Sequence, residues 1–151
     1  VNPVTIKVSV SKKLIEKGCK FLLLLEYNPI KPNTEHLMIT TSQRKKIMDI
    51  VKTFREKWPA LFIEVPGDED EIGGCLGAGK GFIHISAEGD VEPCPFAPYS
   101  DMNLRNVSLK DALNSDFLRK IRENHAQLHS SDGSCGLWAK RDLVQKFLEE
   151  K

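Results

Sequence analysis

The stretch GGCLGAGKGFIHISAEGDVEPC, residues 73–94, decides how the second half of the chain folds: a glycine-rich loop holding one cysteine, an alternating segment, a turn, and a return that ends on a second cysteine. Residues 81–86, GFIHIS, alternate with the two-residue period of a strand, and Ala87, Glu88, Gly89 and Asp90 supply turn residues. Residues 91–94, VEPC, run back, so a hairpin is predicted and its closure brings Cys75 and Cys94 together. Pro93 and Pro95 flank Cys94 and hold it in extended backbone with few ladder bonds. Thirteen residues separate Cys75 from Gly89, four separate Gly89 from Cys94, and forty separate Cys94 from Cys135, which stands at the start of a predicted helix. Three converging thiolates are soft donors suited to a metal or an iron-sulfur cluster, with one ligand position left open. Two plainer readings stand beside this one: a structural zinc completed by a nearby histidine, or small buried thiols. No CxxC pair is present, which speaks against a zinc ribbon.

The same loop also spells GxxxxGK from Gly74 to Lys80, but Gly81 stands where a phosphate-binding loop has its Ser or Thr. The flanks disagree as well. An acidic run, residues 67–71 (GDEDE), precedes the loop and a strand follows, whereas phosphate binding needs a helix N-terminus there.

Working outward, residues 4–65 are organised differently. An extended segment over residues 4–10 (VTIKVSV), a short helix over residues 11–18 (SKKLIEKG), an apolar strand over residues 20–27 (KFLLLLEY), a longer helix and a strand over residues 60–65 (ALFIEV) follow in β-α-β-α-β order. Ile47, Ile50, Val51, Phe54 and Trp58 recur at intervals of three and four and give the longer helix one apolar face, and Pro59 ends it. Residues 22–25 have no polar alternation, as in a strand covered on both sides of a parallel sheet. After residue 66, Ser108, Leu109, Lys110 and Asp111 form a capping-box variant that opens a short helix. A second helix follows from Ser115 with Phe117, Leu118 and Ile121 on one side, and a last one carries Leu137, Val144, Phe147 and Leu148 inward.

The 151 residues suffice for one well-cored domain, or for a partial sheet layer with a smaller appendage. With 22 basic and 21 acidic residues, the net charge of +1 disfavours nucleic-acid or anionic-membrane binding by charge alone. The longest apolar run, residues 21–25, is too short to span a bilayer, and the chain reads as cytoplasmic. In that compartment Cys19, Cys75, Cys94 and Cys135 are metal ligands or buried thiols rather than disulfides.

The ordered elements GGC (73–75), G-x-I-x-I-x-x-x-G-x-V-x-P-C (81–94), N-L-x-x-x-S-L-x-x-A-L-x-S-x-F (103–117) and the late Cys135 resemble the C-terminal auxiliary-cluster region of radical S-adenosylmethionine (radical SAM) enzymes, the SPASM/twitch type. The resemblance implies an auxiliary [4Fe-4S] cluster held by Cys75, Cys94 and Cys135, in the abbreviated single-cluster twitch version. It implies an α/β (α+β) chain: residues 1–65 as the last β/α units of a partial TIM-like barrel, then residues 66–151 as a small hairpin-plus-helices cluster domain. The family's CxxxCxxC motif, which holds the second [4Fe-4S] cluster that cleaves S-adenosylmethionine, is missing. The resemblance therefore implies a fragment, incompetent alone in radical initiation, whose partners are an N-terminal radical SAM core and a small-molecule or peptide substrate.

Further residues carry two readings each. Glu26 and Asn28, at the C-terminal end of a barrel-type strand, are candidate contacts for substrate or cofactor, or parts of a strand-ending turn. The acidic residues 68–71 could face a cationic substrate or lie in a solvated loop. His84 is a candidate fourth ligand or a donor to a cluster sulfur, or a satisfied surface histidine, His125 and His129 form a weak metal pair, and Cys19 packs as an apolar side chain. The chain opens on Val1 beside an extended segment, so an edge strand over residues 4–10 without its neighbour is expected to favour dimerisation of the fragment.

Overall fold

The computed structural model describes residues 8–130 and 133–150, in two compact units, Val1–Asp68 and Glu69–Lys151. In the first, helix α1 (Val8–Glu16) precedes strand β1 (Phe21–Leu25), and helix α2 (Thr41–Lys57) leads to strand β2 (Leu61–Val65). The strands pair in parallel, with Phe21 opposite Leu61 and Leu25 opposite Val65. A helix is the usual way to carry a chain back to start a parallel neighbour. Both ends of α2 are set by local chemistry. Thr40 Oγ1 accepts from the Gln43 N–H at 3.2 Å while Gln43 Oε1 accepts from the Thr40 N–H at 2.7 Å. At the far end Trp58 is extended, as a residue before proline must be.

Ile47, Val51 and Phe54 of α2 bury against Phe62, and the Phe54 ring lies 4.4 Å from that of Trp58 and 5.4 Å from that of Phe62. Leu22 and Leu24 join this core. The opposite face of β1 does not match the expectation of a strand covered on both sides, since Phe21, Leu23 and Leu25 are 50%, 48% and 61% exposed. The uninterrupted leucine run cannot distinguish one covered face from two, because apolar character alone carries no period.

Among the described residues the sheet of the first unit is the parallel pair β1 and β2, and it shows no barrel. One further expectation is corrected here. Of the strand expected over residues 4–10, residues 4–7 lie outside the described residues and residues 8–10 begin α1. Ser11 is buried and Ile15, one turn later, packs on the first core, so helical burial outweighs the strand preference of Val8 and Val10.

The second unit holds the hairpin β3 (His84–Ile85) and β4 (Val91–Glu92), with His84 opposite Glu92. Helices α3 (Leu109–Leu113) and α4 (Asp116–Glu123) follow, capped by Ser108 accepting from the Asp111 N–H and Ser115 from the Leu118 N–H. The last helix expected is two, α5 (Gly136–Ala139) and α6 (Arg141–Glu149), separated at Lys140 by a non-helical φ of −110° and ψ of 28°. Phe117, Leu118, Ile121, Leu137, Val144 and Phe147 form one core with Val91, Cys94 and Cys135.

Glu64 sits on the α2 side of β2, opposite Leu24, and is buried. Burial first, and then the charge of Asp68, pushes its carboxyl up to about 7 from an ordinary 4.5. The folded chain thus holds a proton that the unfolded chain releases: its contribution is complete below pH 4.5 and is lost as pH rises through 7. In thermal denaturation, Glu64→Gln is expected to be more stable than wild type at pH 8, by on the order of 2 kcal/mol, and indistinguishable from it at pH 4.

Candidate metal centre

Cys75, Cys94 and Cys135 belong to three different local structures that the second unit brings together. Cys75 follows a 3-10 turn (Glu69–Ile72) and two glycines with positive φ, Cys94 follows β4, and Cys135 is the residue before α5. All are free thiols. Gly77 N–H donates to Cys75 Sγ at 3.3 Å, and the backbone N–H groups of Phe96 and Ala97 act on Cys94, and those of Leu137 and Trp138 on Cys135, in the same sense. All of these N–H groups lie two or three residues after their cysteine. Such bonds favour the thiolate.

Burial opposes them and wins in the metal-free chain, pushing each of the three thiols up to about 12. Charge adds to burial: Glu69 and Cys135 act on Cys75, Cys75 and Glu69 on Cys94, and Cys94 and Glu69 on Cys135. Three sulfurs close enough to repel one another as thiolates are a set that a cationic centre would relieve. Among the described residues, no three His, Cys, Asp or Glu side chains converge where a single metal ion could be held. A cluster spreads its thiolates over different iron atoms and requires no such point.

The loop carrying Cys75 is tied down from several sides. His125 Nε2 lies 2.8 Å from the Cys75 carbonyl oxygen, which can only accept, so the imidazole donates there. Its ring rests on Gly74, where an added Cβ would stand 2.3 Å from Cε1. Lys80 Nζ donates to the Gly73 carbonyl at 2.9 Å. The loop amides are spent internally, Gly79 N–H on Phe82, Lys80 N–H on Gly77 and Gly81 N–H on Leu76, so no amide cradle faces a phosphate. Across the hairpin, Gly89 turns at φ +94° and Asn103 clamps it, its Nδ2 donating to Asp90 Oδ1 at 2.8 Å and to the Glu88 carbonyl at 3.1 Å. The Leu104 N–H then bonds the Gly89 carbonyl at 2.9 Å.

Residues 75–136 match the family model of SPASM, described as an iron-sulfur cluster-binding domain. The chain carries a SPASM domain. Its function is to bind an auxiliary iron-sulfur cluster, and such domains are typical of the C-terminal auxiliary region of radical SAM enzymes, implying association with a radical SAM core. Neither a curated protein nor a solved structure matches the chain. Among the described residues no helix is long and apolar enough to cross a membrane.

The other residues singled out from sequence lie as follows. His84 of the SPASM hairpin bonds Glu92 across the strands at 2.7 Å, and His125 is committed to the cysteine loop. In the first unit, Cys19 Sγ donates to the Phe21 carbonyl at 3.1 Å. Glu26 receives Arg44 through two bonds, 2.8 Å from Nε and 2.5 Å from Nη2, with both side chains buried, and Asn28 Nδ2 donates to the Glu26 carbonyl at 3.4 Å. Asp68 is engaged by Arg55 and by the Glu64 N–H, and Glu71 is exposed. The role of His125 had no signal in the sequence, because its partner is a backbone carbonyl fifty residues away.

In the metal-free chain at pH 8, a thiol pushed to about 12 has a thiolate fraction roughly a thousandfold below one at 9. Iodoacetamide with peptide mapping is expected to label Cys94 and Cys135 at least about a hundredfold more slowly in the folded chain than in urea. Gly136, next to Cys135, has the Leu128 carbonyl oxygen 1.8 Å from where a Cβ would stand. Gly136→Ala should therefore cost about 3 kcal/mol or more in chemical denaturation.

Proposed function

We propose that Cys75, Cys94 and Cys135 ligate the auxiliary cluster of this SPASM domain as a [4Fe-4S] centre, in the single-cluster twitch arrangement. The observation that supports this reading is that three cysteines far apart in sequence share one core, Cys94 and Cys135 within it and Cys75 packed against it, close enough for their charges to act on one another. When bound, the cluster supplies redox capacity or an iron site for substrate. The chain's own residues place the thiolates, direct amides at them and exclude water with Phe96, Leu137 and Trp138 around them.

The chain works with a radical SAM core, the association that its SPASM domain implies, and that core supplies the CxxxCxxC cluster for cleavage of S-adenosylmethionine. In this reading it is a C-terminal fragment of such an enzyme, with residues 1–65 continuing the core's β/α layer and residues 66–151 forming the cluster domain. The parallel pairing of β1 and β2 around α2 supports that topology. Glu26 lines a cavity of about 280 Å³ at the C-terminal edge of these strands, together with Tyr27, Leu37, Ile39 and Glu64, and with Asn28 nearby offers that edge to a small-molecule or peptide substrate or to cofactor.

Anaerobic reconstitution of the full chain with iron and sulfide tests the cluster. About four irons and four sulfides per chain are expected, with a reduced-state electron paramagnetic resonance signal, and Cys75→Ala, Cys94→Ala and Cys135→Ala should each lose most of the iron. A colourless chain that takes up only zinc, and whose three variants change only zinc content, would overturn the proposal.

A further inference from the structure

We infer that the cavity at the C-terminal edge of β1 and β2 binds a small primary alkylammonium, with the Glu64 carboxylate as its counter-ion. The inference rests on the reading of that edge as a ligand site and names the chemical class the site takes.

The cavity, about 280 Å³, is lined by Tyr27, Leu37, Ile39 and Ile47 together with Glu26 and Glu64. Its floor is buried, with Ile47 and Glu64 only 8% and 7% exposed, while Leu37 and Tyr27 at 51% and 40% leave the rim open. Walls of this kind suit hydrocarbon and not a hydrated metal ion. The volume lies at the small end of ligand pockets, so the ligand is small.

Three carboxylates lie in this part of the unit, and two are matched. Glu26 receives Arg44 at 2.8 Å from Nε and 2.5 Å from Nη2, while Asp68 is paired with Arg55 and accepts from the Glu64 N–H at 2.8 Å. Arg55 is held further by the Phe62 carbonyl, 3.1 Å from its Nε. Among the described residues no hydrogen bond or ion pair reaches the Glu64 carboxyl. Its place is fixed nonetheless. Glu64 stands opposite Leu24 in the strand register, and the backbone at Gly67 packs on it, where an added Cβ would be 2.7 Å from Cδ.

A buried carboxyl without a partner is unfavourable in its charged form. Arg55 and Arg44 act on it from a distance, but burial first and then Asp68 outweigh them and push it up to about 7. A cation in the cavity supplies the missing charge. A primary ammonium also brings N–H donors for the carboxylate oxygens, which a quaternary ammonium lacks.

The test follows the methyl resonances of Leu24, Leu37, Ile39 and Ile47 in the full chain by nuclear magnetic resonance. Wild type and Glu64→Gln are titrated with n-butylammonium chloride, 1-butanol and sodium butyrate. In wild type, n-butylammonium is expected to shift these resonances saturably and to bind at least about tenfold more tightly than 1-butanol, with butyrate not binding. Its affinity should rise at least about tenfold from about pH 5 to about pH 8, because Glu64 ionises in between while the ammonium stays charged. Glu64→Gln should remove both the preference and the pH dependence, whereas titration of the exposed His36 beside Leu37 would leave the pH dependence in place. Equal affinity for n-butylammonium and 1-butanol, or an ammonium affinity unchanged in Glu64→Gln, would overturn the cation assignment and leave the edge standing as a ligand site. No saturable shift with any probe would overturn both and leave the cluster reading untouched. If Glu64→Gln fails to fold, the wild-type pH dependence with n-butylammonium set against that with 1-butanol decides.

Discussion

Charge held out of water is the constraint on which the second unit depends. Cys94 and Cys135 belong to the same apolar core as Phe117, Leu118 and Val144, and Cys75 packs against it. Three thiolates gathered there without a counter-charge are disfavoured by burial and by one another. The local structure around each cysteine answers that problem in part, by turning backbone N–H groups onto the sulfur. The remainder falls to a positively charged centre, which is the chemistry a cluster-binding domain supplies.

The site and the core are accordingly one object. Gly136 lets the chain after Cys135 lie against the Leu128 carbonyl, and Gly77 brings backbone between Cys75 and the Pro93 carbonyl. Asn103 ties the hairpin turn to the segment that leads into α3, with Val91 N–H bonded to the Met102 carbonyl at 2.9 Å beside it. The first unit is built on a different principle, an amphipathic helix across one face of a parallel strand pair, with a buried Arg44–Glu26 ion pair at the strand edge. Removing either partner of that pair would strand a charge away from solvent.

Local chemistry made a good part of this legible. The apolar face of α2, the proline that follows it, the serine caps of α3 and α4 and the glycine of the hairpin turn each depend on residues within a few positions of one another. Other features escaped for identifiable reasons. Val8 and Val10 favour strand, but Ser11 is buried and Ile15, one turn on, packs on the first core, a spacing that suits a helix. A run of leucines does not say whether one or two faces of its strand are covered. The break at Lys140 falls within a pattern whose apolar spacing continues on both sides.

For this protein, sequence by itself determined helix α2, strands β1 and β2, the hairpin and its turn, and the identity of three candidate thiolate ligands, because these follow from side-chain chemistry and short-range spacing. Only the tertiary structure decided what surrounds those thiols, with His125 on the Cys75 carbonyl and the charge of Glu69 acting on all three, and, in the first unit, what meets Glu26, the buried Arg44. The reason is physical. A hydrogen bond to a distant carbonyl, a charge acting across a folded loop, and an ion pair between a helix and a strand end are matters of through-space geometry, and they leave no period or motif in the order of residues.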